Sequence, residues 1–157
     1  MVTLELRAEI EELYYDYAAA LDDCELDRWP EFFVEECWYK IVSRENYDRG
    51  LPLATMWCES KGMLKDRVVT IQQTQMFAPR AMRHLVSNVR IKSNGAEDLQ
   101  SGANYVVIQT LVDDESRIFN TGRYLDTLTR ENGQLKFKSR ICVYDTILIP
   151  NSLIYPL

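Results

Sequence analysis

The chain has 157 residues, 46% of them hydrophobic, with a net charge of -6 and a pI near 4.9. That size predicts a single domain over 1–157 that buries about two-thirds of the unfolded chain's surface. The acidic balance argues against a nucleic acid partner, whose affinity rests on Lys and Arg neutralising phosphates, and no apolar run approaches the roughly 18 residues that would make a membrane span. The opening MVTLELRAEIEELYYDY is acidic and has neither the basic nor the apolar region of a signal peptide. The expectation is a cytoplasmic protein with reduced cysteines.

In chain order, Leu6, Ile10, Leu13, Tyr14, Tyr17 and Leu21 fall on one helix face, with charged residues between them. The pattern stops at Asp22 and Asp23. LDRWPEFF then predicts a short second helix with Pro30 near its start, where the missing N–H costs little, and with Leu26, Trp29, Phe32 and Phe33 buried. Residues 37–44 (CWYKIVSR) are aromatic and β-branched and predict a first strand, followed by a turn over 46–52. Ser60 is the expected N-cap of a third helix that carries Met63, Leu64, Val68 and Ile71 and ends by Ala78, ahead of Pro79.

Beyond that point the period changes from helical to alternating. Arg83, Leu85, Ser87, Val89 and Ile91 share one strand face, and His84, Val86, Asn88, Arg90 and Lys92 the other. SNGAED at 93–98 closes that strand. A strand over 101–112, apolar on both sides at 105–108, a turn at 113–116 and a strand over 117–129 follow. Asn132-Gly133 is the strongest hairpin signal, because both residues tolerate the positive φ of a type I′ turn. The last strand is expected from Leu135 to about Ile149, with Leu135, Phe137, Ile141 and Val143 inward. Helices first and long antiparallel strands afterwards make an α+β domain. Its bent sheet wraps the helices into a cone with a hollow end.

Such a hollow suits a small molecule. Asp145 has the parity of Ile141 and Val143, so with Tyr14 or Tyr17 it could serve a stand-alone isomerase or dehydratase, the carboxylate as base and the phenol on the oxyanion. The competing reading pairs Asp145 with Arg140 or a turn and leaves the tyrosines in the core. His84 is the sole histidine. A Rieske cluster needs two cysteines and two histidines, and a mononuclear iron triad two histidines and a carboxylate, so this chain can build neither. Cys24, Cys37, Cys58 and Cys142 lack the C-x2-C pairs of a zinc site and read as small buried hydrophobes. Asp66, Arg67 and Arg140 fit a carboxylate ligand or a protein interface. The apolar tail from Ile147 to Leu157 requires cover from its own core or from a neighbour.

Taken together, YYDYAAALDDCELDRWPEFF at 14–33, CWYKIVSREN at 37–46, MLKDRVVTI at 63–71, RHLVSNVRI at 83–91 and SRICVYDTILIPNSLIYPL at 139–157 resemble the small (beta) subunit of Rieske-type aromatic-ring-hydroxylating oxygenases. GLPL at 50–53 and the tail look most like the salicylate 5-hydroxylase branch, with terephthalate dioxygenase small subunits as near relatives. The resemblance implies the cone fold of nuclear transport factor 2 and ketosteroid isomerase, and a non-catalytic role. It further implies three small subunits beneath three large (alpha) ones in a heterohexamer. The large subunit holds the Rieske 2Fe-2S cluster and the mononuclear Fe(II), fed from NADH by an electron-transfer chain; no cofactor is expected in this chain. Asp66, Arg67, Arg83, His84 and Asn88 lie in matching segments, Arg83 standing where the family commonly has serine. Together with Trp29, Trp57, Arg140 and Tyr155 they are the expected interface residues.

Overall fold

Helix α1 runs over Leu4–Asp22, opened by Thr3, whose hydroxyl accepts from the Leu6 amide. It buries Ile10, Tyr14, Tyr17 and Leu21. A 3-10 helix at Leu26–Phe32 follows, then β1 (Phe33–Ser43), α2 (Arg44–Asp48), β2 (Met56–Cys58), α3 (Lys61–Gln73), β3 (Arg80–Asn94), β4 (Asp98–Leu111), β5 (Arg117–Glu131) and β6 (Gln134–Tyr144). This computed structural model describes residues 2–74, 78–94, 97–150 and 152–157. The six strands form one mixed sheet in the order β2-β1-β6-β5-β4-β3, parallel only between β1 and β6.

Local chemistry sets several boundaries. Ser60 caps α3 through the Met63 amide, but α3 ends at Gln73, and Met63 is largely exposed while Leu64, Val68 and Ile71 are buried. Residues 75–77, where the helix was expected to continue, lie outside the described residues, as do 95 and 96 in the turn expected at 93–98. Pro30 falls late in the 3-10 helix, and Trp29 and Pro30 are both buried. The expected turn begins as a helix: Ser43 accepts from the Asn46 amide and starts α2. β6 loses β1 as a partner at Tyr144, its last pair on that side being with Ser43, and after one further backbone hydrogen bond, from the Asp145 amide to the Thr121 carbonyl, the pairing stops short of Ile149. Asn132 and Gly133 both have positive φ and join Glu131 to Gln134, the two-residue hairpin the sequence predicts.

The strand pairing shifts register at five places, and at three of them, in β3, β5 and β6, an inserted residue reverses which side chains face inward. In β3 the register slips between Ser87 and Arg90, with Asn88 at φ 55°; Met82 and His84 are buried before it, and Val89 after it. In β5 the consecutive residues Phe119 and Asn120 are both buried. In β6 the slip falls at Lys138, so Leu135 and Phe137 are followed inward by Arg140 and Cys142. Ile141 is only half-buried, against expectation. In β4, Tyr105 and Val107 face the core, whereas Val106 and Ile108 lie half-open on the outer face. The tail divides: Pro156 and Leu157 are buried in the chain's own core, while Ile147 and Leu148 are exposed.

Gly122 marks the tightest point of the sheet. A Cβ there would overlap the Val143 carbonyl oxygen and lie 2.8 Å from the Tyr105 hydroxyl. Gly122→Ala is therefore expected to cost about 3 kcal/mol, at the upper end of overpacking penalties, measured as the shift in a urea unfolding curve. A loss below half a kcal/mol would mean that the two strands part easily.

Candidate functional site

Register builds the interior. One row crosses the concave face as Ser101 (β4), Asp126 (β5), Arg140 (β6) and Tyr39 (β1), each opposite the next. Arg140 and Asp126 form a two-pronged ion pair, Nε to Oδ1 at 2.9 Å and a terminal nitrogen to Oδ2 at 2.8 Å, and neither side chain reaches solvent. The helix adds Tyr14, whose hydroxyl donates to Asp126 and lies 3.1 Å from Ser101 Oγ. Rings enclose the guanidinium, with centroids at 3.8 Å for Tyr124, 4.1 Å for Phe137, 4.3 Å for Tyr17 and 4.8 Å for Tyr14. Trp29 Nε1 donates to the Tyr17 hydroxyl, and Tyr17 and Tyr39 both donate to the Leu157 main-chain oxygen.

The electrostatics close the same space to acid/base work. Burial, reinforced by the Asp126 charge, holds the Tyr14 phenol well above its ordinary pKa. Burial opposes the charge on Arg140, but Asp126 outweighs it and keeps the guanidinium firmly protonated. Asp126 accepts from Arg140 and Tyr14 at once, so its oxygens are committed. The centre of the cone is thus filled by the ion pair and its aromatic cage, in which the second terminal nitrogen of Arg140 and the Tyr124 hydroxyl are buried without a hydrogen-bond partner.

The predicted site residues separate accordingly. Tyr14 and Tyr17 are core residues, as the competing reading held, and Asp145 is not with them. It is exposed, paired with Arg44 and accepting from Thr121, because the Lys138 bulge turns its strand over before the chain reaches it. The proposed base and phenols never meet. Trp29 and Arg140 are wholly enclosed and His84 nearly so, which removes them as contact residues for another chain. Trp57, Asp66, Arg83 and Asn88 are exposed. Arg67 and Tyr155 are half-buried, Arg67 reaching the Ile154 carbonyl at 3.4 Å.

His84 has a structural partner. Asp22, the last residue of α1, accepts from the His84 amide at 2.9 and 3.1 Å, and its Oδ1 is 2.6 Å from Nδ1, tying the helix end to edge strand β3. Iron does not fit these residues: the single imidazole has one nitrogen engaged and the other buried, and the four cysteines are separate free thiols. Among the described residues no group of three His, Cys, Asp or Glu side chains is placed to hold a metal ion. Asp126 and Ser101 carry no motif of their own in the sequence. The hairpin at Asn132-Gly133 brings Asp126 to within one residue of Arg140 across the strands, and that was the available signal.

An α+β cone with helices packed inside a six-stranded sheet defines a domain of the nuclear transport factor 2 and ketosteroid isomerase type. The SnoaL-like domain family matches residues 2–141. The small subunit of anthranilate 1,2-dioxygenase from Burkholderia cepacia is 36% identical over 149 residues, 95% of this chain and 92% of that one. The beta 2 subunit of the terminal oxygenase component of terephthalate 1,2-dioxygenase from Comamonas is 28% identical, over 90% of this chain and 92% of that one. A crystal structure assigned as the beta subunit of an aromatic-ring-hydroxylating dioxygenase from Novosphingobium aromaticivorans superimposes with a TM-score of 0.88 at 40% identity, over 96% of this chain and 95% of that one. The chain belongs to the SnoaL-like family and, within it, to the small subunits of the aromatic-ring-hydroxylating dioxygenases, which are oxidoreductases.

Proposed function

We propose that this chain is the non-catalytic small subunit of a Rieske-type oxygenase that hydroxylates an aromatic acid, working as a single cytoplasmic domain whose task is to hold the large subunits in place. The observation that carries this reading is the closed interior: the Asp126–Arg140 pair and its rings occupy the space a substrate would need. The relatives named for anthranilate and terephthalate support an aromatic acid as substrate of the complex. A salicylate-like acid fits the GLPL segment and the tail of the sequence. The Rieske cluster, the mononuclear iron and the entry of electrons from NADH belong to the large subunit, and three copies of each chain make the complex. Among the described residues no helix is long and apolar enough to cross a membrane. The stand-alone isomerase or dehydratase loses its base, because Asp145 is exposed and paired with Arg44.

Co-expression with the large subunit of a ring-hydroxylating oxygenase from the same genome is the test. The two chains are expected to co-elute in equal amounts at the mass of a three-plus-three hexamer, measured by light scattering after size exclusion. A small subunit that elutes alone while the large subunit assembles and turns over without it would overturn the reading.

A further inference from the structure

The outer, convex face of the sheet has a composition unlike the rest of the molecule. Strand pairing places Trp57, Lys40, Ile141, Leu125, Gly102 and Arg90 in one row, one residue from each strand from β2 to β3. At about 4.8 Å between strands the row is roughly 24 Å long, the breadth of a standard protein interface. Its β2–β1 end is aromatic: Trp38 and Trp57 are exposed and, with Glu59 at the side, line a hollow of about 310 Å³, with Lys40 Nζ 4.6 Å from the Trp57 ring centroid. Its middle is apolar, with Ile141 and Leu125 half-open.

The β4–β3 end is basic. Arg90, Lys92 and Arg123 rim a hollow of about 140 Å³ together with Asn88 and Asn104. Gly102 lines it without a side chain, a Cβ there falling 2.8 Å from the Tyr124 carbonyl oxygen and 3.3 Å from Lys92 Cε. Arg90 and Lys92 have no ion pair among the described residues, and Arg123 has only Asp48 at 3.9 Å. A chain of net charge -6 thus gathers cations on this face. The helical side is acidic, with Glu5, Glu9, Glu11, Glu12 and Asp16 on α1. Aromatic anchors, an apolar centre and arginines that lack a close carboxylate partner are the make-up of a protein-binding surface.

We propose that this face is the docking surface for the large subunit, resting on the function proposed above, and that the partner presents an apolar surface bearing carboxylates. A carboxylate enters the Arg90–Lys92–Arg123 hollow through charge-assisted hydrogen bonds, and an apolar side chain enters between Trp38 and Trp57. The complementarity is directional: a carboxylate-bearing partner is drawn to this face and repelled by α1.

The test uses the co-purified complex. With wild type forming the hexamer, the triple variant R90E/K92E/R123E is expected to bind the large subunit at least a hundredfold more weakly, and W57A at least tenfold, in titrations that also show wild-type affinity falling as salt rises. Circular dichroism establishes whether the variants are folded. Amine labelling of wild type covers the case in which they are not: Lys40 and Lys92 are expected to react at least fivefold more slowly in the complex than in the free subunit, with Lys65 on α3 unchanged. The proposal is overturned if the folded triple variant binds normally, if Lys40 and Lys92 label equally in both states, or if the variant loses only self-association, which would assign the face to copies of this chain. Failure of wild type to bind the large subunit would instead remove the proposed function itself.

Discussion

Replacing Arg140 with Met is expected to destabilise the chain by about 3–5 kcal/mol, because it leaves the Asp126 carboxylate buried without its cation. The double change Arg140→Met with Asp126→Leu is expected to return most of that loss, since a volume-matched apolar pair removes the stranded charge along with its partner. The reasoning depends on geometry: the pair is two-pronged, fully buried, and ringed by Tyr124, Phe137, Tyr17 and Tyr14, so water cannot enter to solvate a lone carboxylate. Folded proteins have only about 5–15 kcal/mol of net stability, so the single variant is expected near the limit of folding at 37 °C. Urea unfolding at pH 7 of wild type, single and double variants decides it. A double variant no more stable than the single would show that the cost came from lost packing and not from the unpaired charge.

The second large effect is an alkaline collapse. Burial holds the phenols of Tyr14, Tyr39 and Tyr124 well above their ordinary pKa and pushes the Cys142 thiol up to about 12. Below about pH 9 both folded and unfolded chains keep these protons, so the groups contribute nothing to pH dependence. As pH rises through about 9 for the thiol and 10 for the phenols, only the unfolded chain releases them. Stability then falls by about 1.4 kcal/mol per pH unit for each group, together about 5.5 kcal/mol per unit for the four. Cooperative unfolding is expected within about two units above pH 10, with tyrosinate absorbance at 295 nm rising in the same step as the far-ultraviolet circular dichroism is lost. Smooth titration of every tyrosine in a chain that stays folded at pH 12 would contradict the closed interior.

What the sequence showed of this fold was local. The face of α1, the Ser60 cap and the Asn132-Gly133 turn are each set by a few neighbouring residues, and the structure has all three. What stayed hidden was register. A single inserted residue at Asn88, Phe119 or Lys138 reverses which side chains face inward, and no residue at those positions announces it. Parity carried past Lys138 therefore aimed Asp145 inward and assigned Arg140 to a surface, the reverse of what the bulge produces. The parallel pairing of β1 with β6 is hidden for another reason, since it joins segments about 100 residues apart with no turn to signal it. The Asp22–His84 contact spans 62 residues in the same way.

The central claim is that this chain contributes assembly and not chemistry. Its most direct test is ring hydroxylation by complexes carrying Asp145→Asn or His84→Gln, purified as the intact hexamer and normalised to iron in the large subunit. Each is expected to turn over within a few-fold of wild type, any loss appearing as a lower yield of complex. A hundredfold fall in turnover per iron, about 2.7 kcal/mol of barrier, would mean that the small subunit takes part in the reaction, and the scaffold account would be wrong.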